Sequence, residues 1–354
     1  MSRSKPTKRT LDIPSRSPSP PTVTPSISGS NPHAAEPDVE GGVEYWRSVA
    51  ATVDGVLGGY GKGTLPRVDA LGSRLFLLGV LPRLDKVRSS KEELNGTPES
   101  SLDRSATTEM RTRGLDTGAG VGRVSRDVLS RLLQHVDLVE PAENLLAEAV
   151  RTSPSWPALK AIASDDSSAS SSSSTQLPSI SFFLSTLQDW TQCLASSLTA
   201  QQHKLREEAR FAPDNVSGNS KAQKGGDKDE QVLYDVVWAQ WMLQHLSDDD
   251  LIKFLQAAKK SLVRPDLTNG AVAKESSKGA ILDGSGCIFV KENVCQEKES
   301  GEENVWFDEE DKSITRSRKA FERVFASAGL EIVKTEVQLG LPAELFAVRM
   351  WALR

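Results

Sequence analysis

The stretch "RGLDTGAGVGRVSRDVL" constrains this chain more than any other: a short apolar run, an aspartate, glycines at alternate positions, then an amphipathic helix. A strand, a glycine turn and a helix can cradle a nucleotide or nucleoside, because glycine lets the main chain approach a ligand where any Cβ would clash. A dinucleotide fingerprint, G-x-G-x-x-G, needs its third glycine five residues after the first, and that position is Arg123. Here the glycines are Gly118, Gly120 and Gly122, with Asp116 two residues ahead of the first. Glu140 closes the next apolar run, "HVDLVE", where an acid at the end of the second strand of a doubly wound sheet accepts hydrogen bonds from ribose hydroxyls.

The remaining segments alternate. "VSRDVLSRLLQHV" predicts a helix with Val124, Val128, Leu132 and Val136 on one face. "VDLVE" reads as a strand, "ENLLAEAVR" as a helix, and "SISFFLSTLQDW" and "YDVVWAQWML" contain strands. "DDDLIKFLQAAKKSLV" is a helix capped by Ser247, with Asp250 completing a capping box. "GCIFVKENV" is a strand, "SRKAFERVFASAG" a helix, and "LEIVKTEVQ" and "ELFAVRMWAL" are closing strands. Near-continuous apolar strands alternating with helices predict an α/β fold, a doubly wound and mostly parallel sheet covered on both faces. The last two strands are joined only by "LGLPA", so they pair as an antiparallel hairpin at one edge.

Hydrophobic residues make up only 38% of the chain, and the polar excess is unevenly spread. Residues 1–40, rich in Ser, Pro and basic side chains, have little to bury and read as a disordered tail. Residues 41–354 read as one domain with disordered insertions near 86–110, 164–176, 211–230 and 266–285. A net charge of −5 argues against a broad basic surface for nucleic acid. Three cysteines and four histidines lack metal-ligand spacing, which predicts no metal site and a reducing compartment. No apolar run approaches the roughly 20 residues of a membrane helix, and the start lacks an apolar signal segment. The expected location is the cytoplasm; the "SKPTKR" cluster, either a solvated basic tail or a nuclear-import signal, leaves the nucleus open.

"EYWRSVAATVDGVLGGYG" ahead of the glycine turn, "YDVVWAQWMLQHLSD" at the fourth strand, "FVKENVCQE" at the fifth and "LPAELFAVRMWALR" at the end resemble the protein alpha-N-terminal methyltransferases. The D-x-G-x-G-x-G turn resembles the first motif of the class I S-adenosylmethionine-dependent enzymes to which they belong. The resemblance spans Glu44 to Arg354 outside the insertions. It implies a Rossmann-like sheet of seven strands with an N-terminal helical lid, and S-adenosyl-L-methionine as cofactor. It further implies methylation of the free α-amine of proteins that begin, after loss of methionine, with X-Pro-Lys or X-Pro-Arg. Partners would be the N-termini of basic ribosomal or chromatin proteins, bound by a monomer without nucleic acid or membrane.

Carried over residue by residue, the resemblance places Trp46, Gly118, Arg123, Glu140, Pro141, Ala142, Leu187, Gln188 and Gln240 at the cofactor. It gives His245 and Asp311 amine positioning and proton removal, and Asn293 the substrate's first residue. Leu57, Trp241, Asp308, Ser313 and Phe346 would contact the substrate. Two positions depart from the family pattern: Glu292 stands where aspartate is common, and Phe346 where tyrosine is usual.

The chemistry of the residues is consistent with that assignment. Methyl transfer from a sulfonium needs a neutral amine at near-contact distance, whereas an α-amine, with a pKa near 8, is mostly protonated at neutral pH. A base or proton route is therefore required. His245 could instead merely cap the helix that starts near Ser247, and the run Asp308 to Asp311 could be a solvated surface. Strand alternation puts Trp238 and Trp241 on opposite faces, with Trp238 in the core. The competing readings are a class I methyltransferase acting on a small molecule or RNA, and a non-catalytic binding protein on the same fold.

Overall fold

The structure, a computed structural model, describes residues 36–85, 112–160, 178–196, 199–216, 231–264, 275–276, 279–281 and 284–354. The insertions expected at 86–110 and 164–176, and the tail up to residue 35, lie outside the described residues. Helices α1 (Val39–Ser48), α2 (Val53–Val56) and α3 (Leu65–Val80) precede β1 (Arg113–Thr117). Helix α4 is a π turn, Ser125–Leu129, running into Ser130–Leu132. There follow β2 (His135–Glu140), α5 (Glu143–Thr152), β3 (Ser179–Leu184), α6 (Leu187–Ala195), α7 (Thr199–Ala209), β4 (Arg210–Val216) and β5 (Val236–Gln240). After α8 (Asp248–Lys260) come the short β6 (Glu275–Ser276) and β7 (Ala280–Ile281), then β8 (Cys287–Val294), β9 (Val305–Phe307) and β10 (Ile314–Arg316). Helix α9 (Arg318–Ser327) leads to β11 (Ile332–Val337) and β12 (Ala347–Leu353).

Among the described residues the main sheet has eight strands, in the order β11-β12-β8-β5-β1-β2-β3-β4. The five from β8 to β3 run parallel, and β11–β12 is the expected antiparallel hairpin at one edge. β4 corrects the expected count of seven: it pairs antiparallel with β3 at the other edge, through residues expected to begin an insertion. β6 and β7 likewise form a small ribbon inside the stretch expected as the 266–285 insertion. Residues 39 and 40, expected in the tail, belong to α1, whose N-cap Asp38 accepts from the Gly41 N–H.

Local chemistry explains the elements. β2 and β5, buried along their whole length, occupy the interior of the sheet, whereas the edge strand β11 stays mostly exposed. Helix α8 starts where Ser247 accepts from the Asp250 N–H at 3.1 Å, opens on Asp248, Asp249 and Asp250, and closes on Lys259 and Lys260, matching the helix dipole at both ends. One core packs α6, α8 and α9 on one face of the sheet; the other packs α3, α4 and α5 on the opposite face. Trp238 is core, stacked on Phe289 at 5.5 Å. The helix after the glycine turn is shorter than expected: it ends at Leu132, Leu133 turns extended, and Val136 is a buried β2 residue paired with Gly114. No described helix is long and apolar enough to cross a membrane.

Candidate active site

A cavity of about 370 Å³ opens at the C-terminal ends of β1, β2, β3 and β5 and is roofed by α1, α2 and the turn after α2. It has the size of a small-molecule site and lies where open parallel sheets bind ligands. The glycine turn forms one wall. Gly118 has φ 61°, the left-handed region, and a Cβ there would fall 2.6 Å from the Met242 Cβ. Asp116, at the end of β1, faces the same cavity and accepts from Ser125 Oγ at 2.6 Å; burial pushes its carboxyl up to about 6. Ser125 opens the π turn of α4, a local widening that often marks functional sites.

Glu140 is held by the turn it faces. Its two carboxylate oxygens accept from the Gly120 N–H at 2.7 Å and the Ala142 N–H at 2.8 Å, while burial pushes its pKa up to about 7. Each oxygen keeps lone-pair capacity for a further donor, as a ribose would provide. Trp46, Gly118, Arg123, Glu140, Pro141, Leu187, Gln188 and Gln240 all line the cavity. Ala142 does not: it is fully buried behind the wall, and its contribution is the N–H given to Glu140.

The other end of the cavity gathers Leu57, Trp241, His245, Asn293, Asp311 and Phe346. Trp241 lies beyond the end of β5 with φ 54°, so strand alternation does not orient it; the left-handed backbone does, and its ring lies under the Arg123 guanidinium at 5.3 Å. Glu292, buried beside the site, accepts from the N–H groups of Met242 and Leu243, both at 2.9 Å, so its carboxylate holds the turn that carries Trp241 and His245. Burial raises Glu292 to about 7. Phe346 is 40% exposed and rests against Trp306 at 5.6 Å.

Asp308 and Ser313, expected at the substrate, are not on the cavity wall. They close the β9–β10 turn through the Asp308 N–H to the Ser313 carbonyl at 2.8 Å. Ser313 is buried and donates its N–H to Asp311 Oδ1 at 3.1 Å; of the acidic run, only Asp311 reaches the cavity. Asp308 and Glu310 stand near Tyr45, whose pKa is raised by burial first, then by Glu310, Asp311 and Asp308.

Helix α1 closes over this end. Its cap residue, Asp38, donates its N–H to the Lys312 carbonyl at 3.0 Å, and Gly42 packs so tightly that a Cβ would lie 3.1 Å from His245 Nδ1. Trp46 Nε1–H donates to His245 Nε2 at 3.1 Å. An indole can only donate, so Nε2 is the acceptor and the proton of the neutral ring sits on Nδ1. Burial lowers the pKa of His245, opposed by Asp311 and Asp308, which favours that neutral form. With the Nε2 lone pair occupied, the carboxylate that remains at this end of the cavity is Asp311.

Three buried polar atoms of the wall have no hydrogen-bond partner among the described residues: Gln188 Nε2, Trp241 Nε1 and His245 Nδ1. An unpaired buried polar atom costs about 1–3 kcal/mol, and these three belong to side chains in the wall of one cavity. A close-approach glycine turn, a carboxylate with spare acceptors and a guanidinium fit a nucleoside with an amino-acid tail.

Sequence reasoning overlooked Asp69 on α3, which is fully buried and accepts from Arg123, Gln240 and Lys291. It also gave no role to Asp116, although the D-x-G spacing named it.

Known proteins resemble this chain over most of its length. Over 88% of its length the chain is 28% identical to the alpha N-terminal protein methyltransferase 1 of Schizosaccharomyces pombe, covering 93% of that protein. It is 28% identical to the human N-terminal Xaa-Pro-Lys N-methyltransferase 1 over 88% of this chain and 92% of that one. A SAM-dependent methyltransferase from Leishmania major shares the fold, with a TM-score of 0.52 and 24% identity across 89% of this chain and 82% of that one. Residues 35–163 and 227–354 match the AdoMet-dependent proline di-methyltransferases, and the chain belongs to that family.

Proposed function

We propose that this chain methylates the free α-amine of proteins whose N-terminus reads X-Pro-Lys or X-Pro-Arg. The observation that carries the reading is the meeting, in one cavity, of the glycine turn and Glu140 with His245, Asn293, Asp311 and Trp241. S-adenosylmethionine, when bound, supplies an electrophilic methyl group on a sulfonium. Gly118 and Glu140 would receive its nucleoside, Leu187 and Gln188 its base, and Arg123 and Gln240 its amino-acid tail, for which guanidinium geometry suits the carboxylate.

The protein's own residues deal with the amine. Asp311 takes the proton of the incoming ammonium, leaving the neutral nucleophile. His245, fixed by Trp46 in one tautomer, lines the wall beside the amine as a neutral ring. The Asn293 amide both donates and accepts, as a peptide unit requires. Trp241 and Phe346 form apolar walls for a proline whose fixed φ already turns the chain, so little conformational entropy is lost on docking. A lysine or arginine in third place then lies toward Asp308 and Glu310.

The test is mass spectrometry of Ser-Pro-Lys-starting peptides incubated with the enzyme and S-adenosylmethionine. Methyl gain on the free peptide, with none on its N-acetylated form or on a Ser-Ala-Lys version, is the expected result. Equal methylation of all three, or of lysine side chains, would overturn the assignment.

A further inference from the structure

Asp69 stands on α3, one layer behind the cavity wall, with its side chain wholly removed from solvent. Three donors from three separate elements converge on its carboxylate. Arg123, from the end of the glycine turn, pairs with Oδ2. Gln240, the last residue of β5, gives its Nε2–H to Oδ1 at 2.8 Å, and Lys291 of β8 reaches the same oxygen at 2.6 Å. The other end of the Gln240 amide is fixed as well, because Oε1 accepts from Trp238 Nε1 at 3.1 Å. Lys291 is tied in further through the Asp69 carbonyl at 3.1 Å, Ser73 Oγ at 3.0 Å and Gln338 Oε1 at 2.9 Å. Arg123 and Gln240 face the cavity; Asp69 and Lys291 do not.

We propose that Asp69 is a positioning residue of the cofactor site, aiming the free N–H groups of Arg123 and Gln240 at the carboxylate end of S-adenosylmethionine. This rests on the reading that those two wall residues receive the amino-acid tail. The guanidinium nitrogens of Arg123 other than Nη1 make no hydrogen bond to a described residue, and the second amide hydrogen of Gln240 is likewise uncommitted. Both groups are long and rotatable, and a two-pronged carboxylate contact is lost when either turns. A buried carboxylate fixes them more firmly than a neutral acceptor. Burial alone would drive its proton affinity up, but Arg123 and Lys291 outweigh that and hold Asp69 ionised below the ordinary aspartate range. Because Asp69 rides on α3, the geometry of the tail subsite depends on the docking of an N-terminal helix.

The discriminating measurement compares two ligands by calorimetry: S-adenosylhomocysteine, which has the amino-acid tail, and 5′-methylthioadenosine, which lacks it. Asp69→Asn should weaken S-adenosylhomocysteine about ten- to a hundredfold and 5′-methylthioadenosine less than about twofold, since only the first uses the contacts Asp69 orients. Asp69→Glu keeps the counter-charge for Arg123 and Lys291 but displaces the carboxylate by a methylene, so it should alter the ligand ratio in the same direction, and it serves should Asp69→Asn fail to fold. Equal weakening of both ligands, or of neither, in the folded variants would overturn the proposal. Arg123→Lys separates the two levels of inference. A changed ratio in Arg123→Lys with none in the Asp69 variants removes the role of Asp69 alone. No change in any of them removes the assignment of Arg123 to the tail, and the proposal with it.

Discussion

The two ends of the cavity are built by different means. The cofactor end is made of the strand ends of a parallel sheet, and most of its polar side chains are committed in advance: Glu140 to two N–H groups, Gln240 to Trp238 and Asp69, Asp116 to Ser125. The amine end is assembled from α1, the turn after β5, the β9–β10 turn and the loop before β12, with Phe346 half exposed and two polar atoms, Trp241 Nε1 and His245 Nδ1, left unpaired. The first end is prebuilt by its own hydrogen bonds. The second leaves two buried donors unpaired, and its tightest contacts come from a helix near the N-terminus, not from the sheet.

The contrast is broken most severely at the glycine turn. Gly118→Ala should reduce cofactor affinity by more than about a hundredfold in calorimetry, because left-handed strain of roughly 1–2 kcal/mol adds to a Cβ placed 2.6 Å from that of Met242. Gly120→Ala bears the same strain at φ 55° but meets only Val56, at 3.8 Å, and should lose about tenfold. Equal losses would mean that close packing against Met242 plays no part in shaping the turn.

Next in size is Asp311→Asn. Removing the base assigned to the amine should lower kcat on the best peptide by about a hundredfold or more, while cofactor affinity stays within about twofold because Asp311 belongs to the other end. A collapse of cofactor binding in the folded variant would show that the two ends are one coupled unit.

Trp46→Phe tests whether α1 sets the histidine. It keeps an aromatic side chain, though a smaller one, and deletes the N–H that occupies His245 Nε2 at 3.1 Å. The loss of one buried hydrogen bond predicts about a five- to tenfold fall in kcat/KM for the peptide. With Nε2 free to accept a proton, the imidazole pKa should rise, moving the acid limb of the pH profile upward. An unchanged profile would indicate that Trp46 only packs.

What the sequence could disclose divides along the same line. The meeting of the glycine turn with Glu140 was legible because its constraints are local: Gly118, Gly120 and Gly122 share one turn, and Glu140 follows on the adjacent strand. Helix α8 was legible for the same reason, through the Ser247 cap. β4 was missed because its pairing with β3 is made by backbone groups, which a polar stretch like "RFAPDNV" can supply without apolar alternation. The helix after the turn was overrun because Val136 continues the helical period, although its chain direction is set by pairing with Gly114. Asp69 sits on a helix far upstream of Arg123, Gln240 and Lys291, so only the packed fold brings them together. At the amine end, "DEED" suggested a row of substrate contacts, but a tight turn directs only Asp311 inward and spends Asp308 and Ser313 on closing itself. Glu292 departs from the usual aspartate, yet its carboxylate meets backbone N–H groups, which the longer side chain reaches from β8.

The smallest expected effect is a pH dependence confined to the cofactor end. Burial raises Glu140 to about 7 from its ordinary 4.5. The folded protein therefore holds that proton more tightly than the unfolded chain does, and the associated stability is complete below about pH 4.5 and is lost as pH rises through about 7. Cofactor binding runs the other way. Two ribose hydroxyls donating to the carboxylate favour its anion, so the bound pKa lies lower and binding releases a proton on the acid side of 7. Affinity should rise about threefold from pH 6.5 to 7.5 and level off above that, with proton release visible as a buffer-dependent binding enthalpy. Asp116, at about 6, lies nearby and is retained in Glu140→Gln, so the difference between wild type and that variant isolates Glu140. The variant should bind more weakly and lose most of the slope. A wild-type affinity flat across this range, or a slope that survives in Glu140→Gln, would mean that the carboxylate only braces the glycine turn through Gly120 and Ala142 and never meets the ribose.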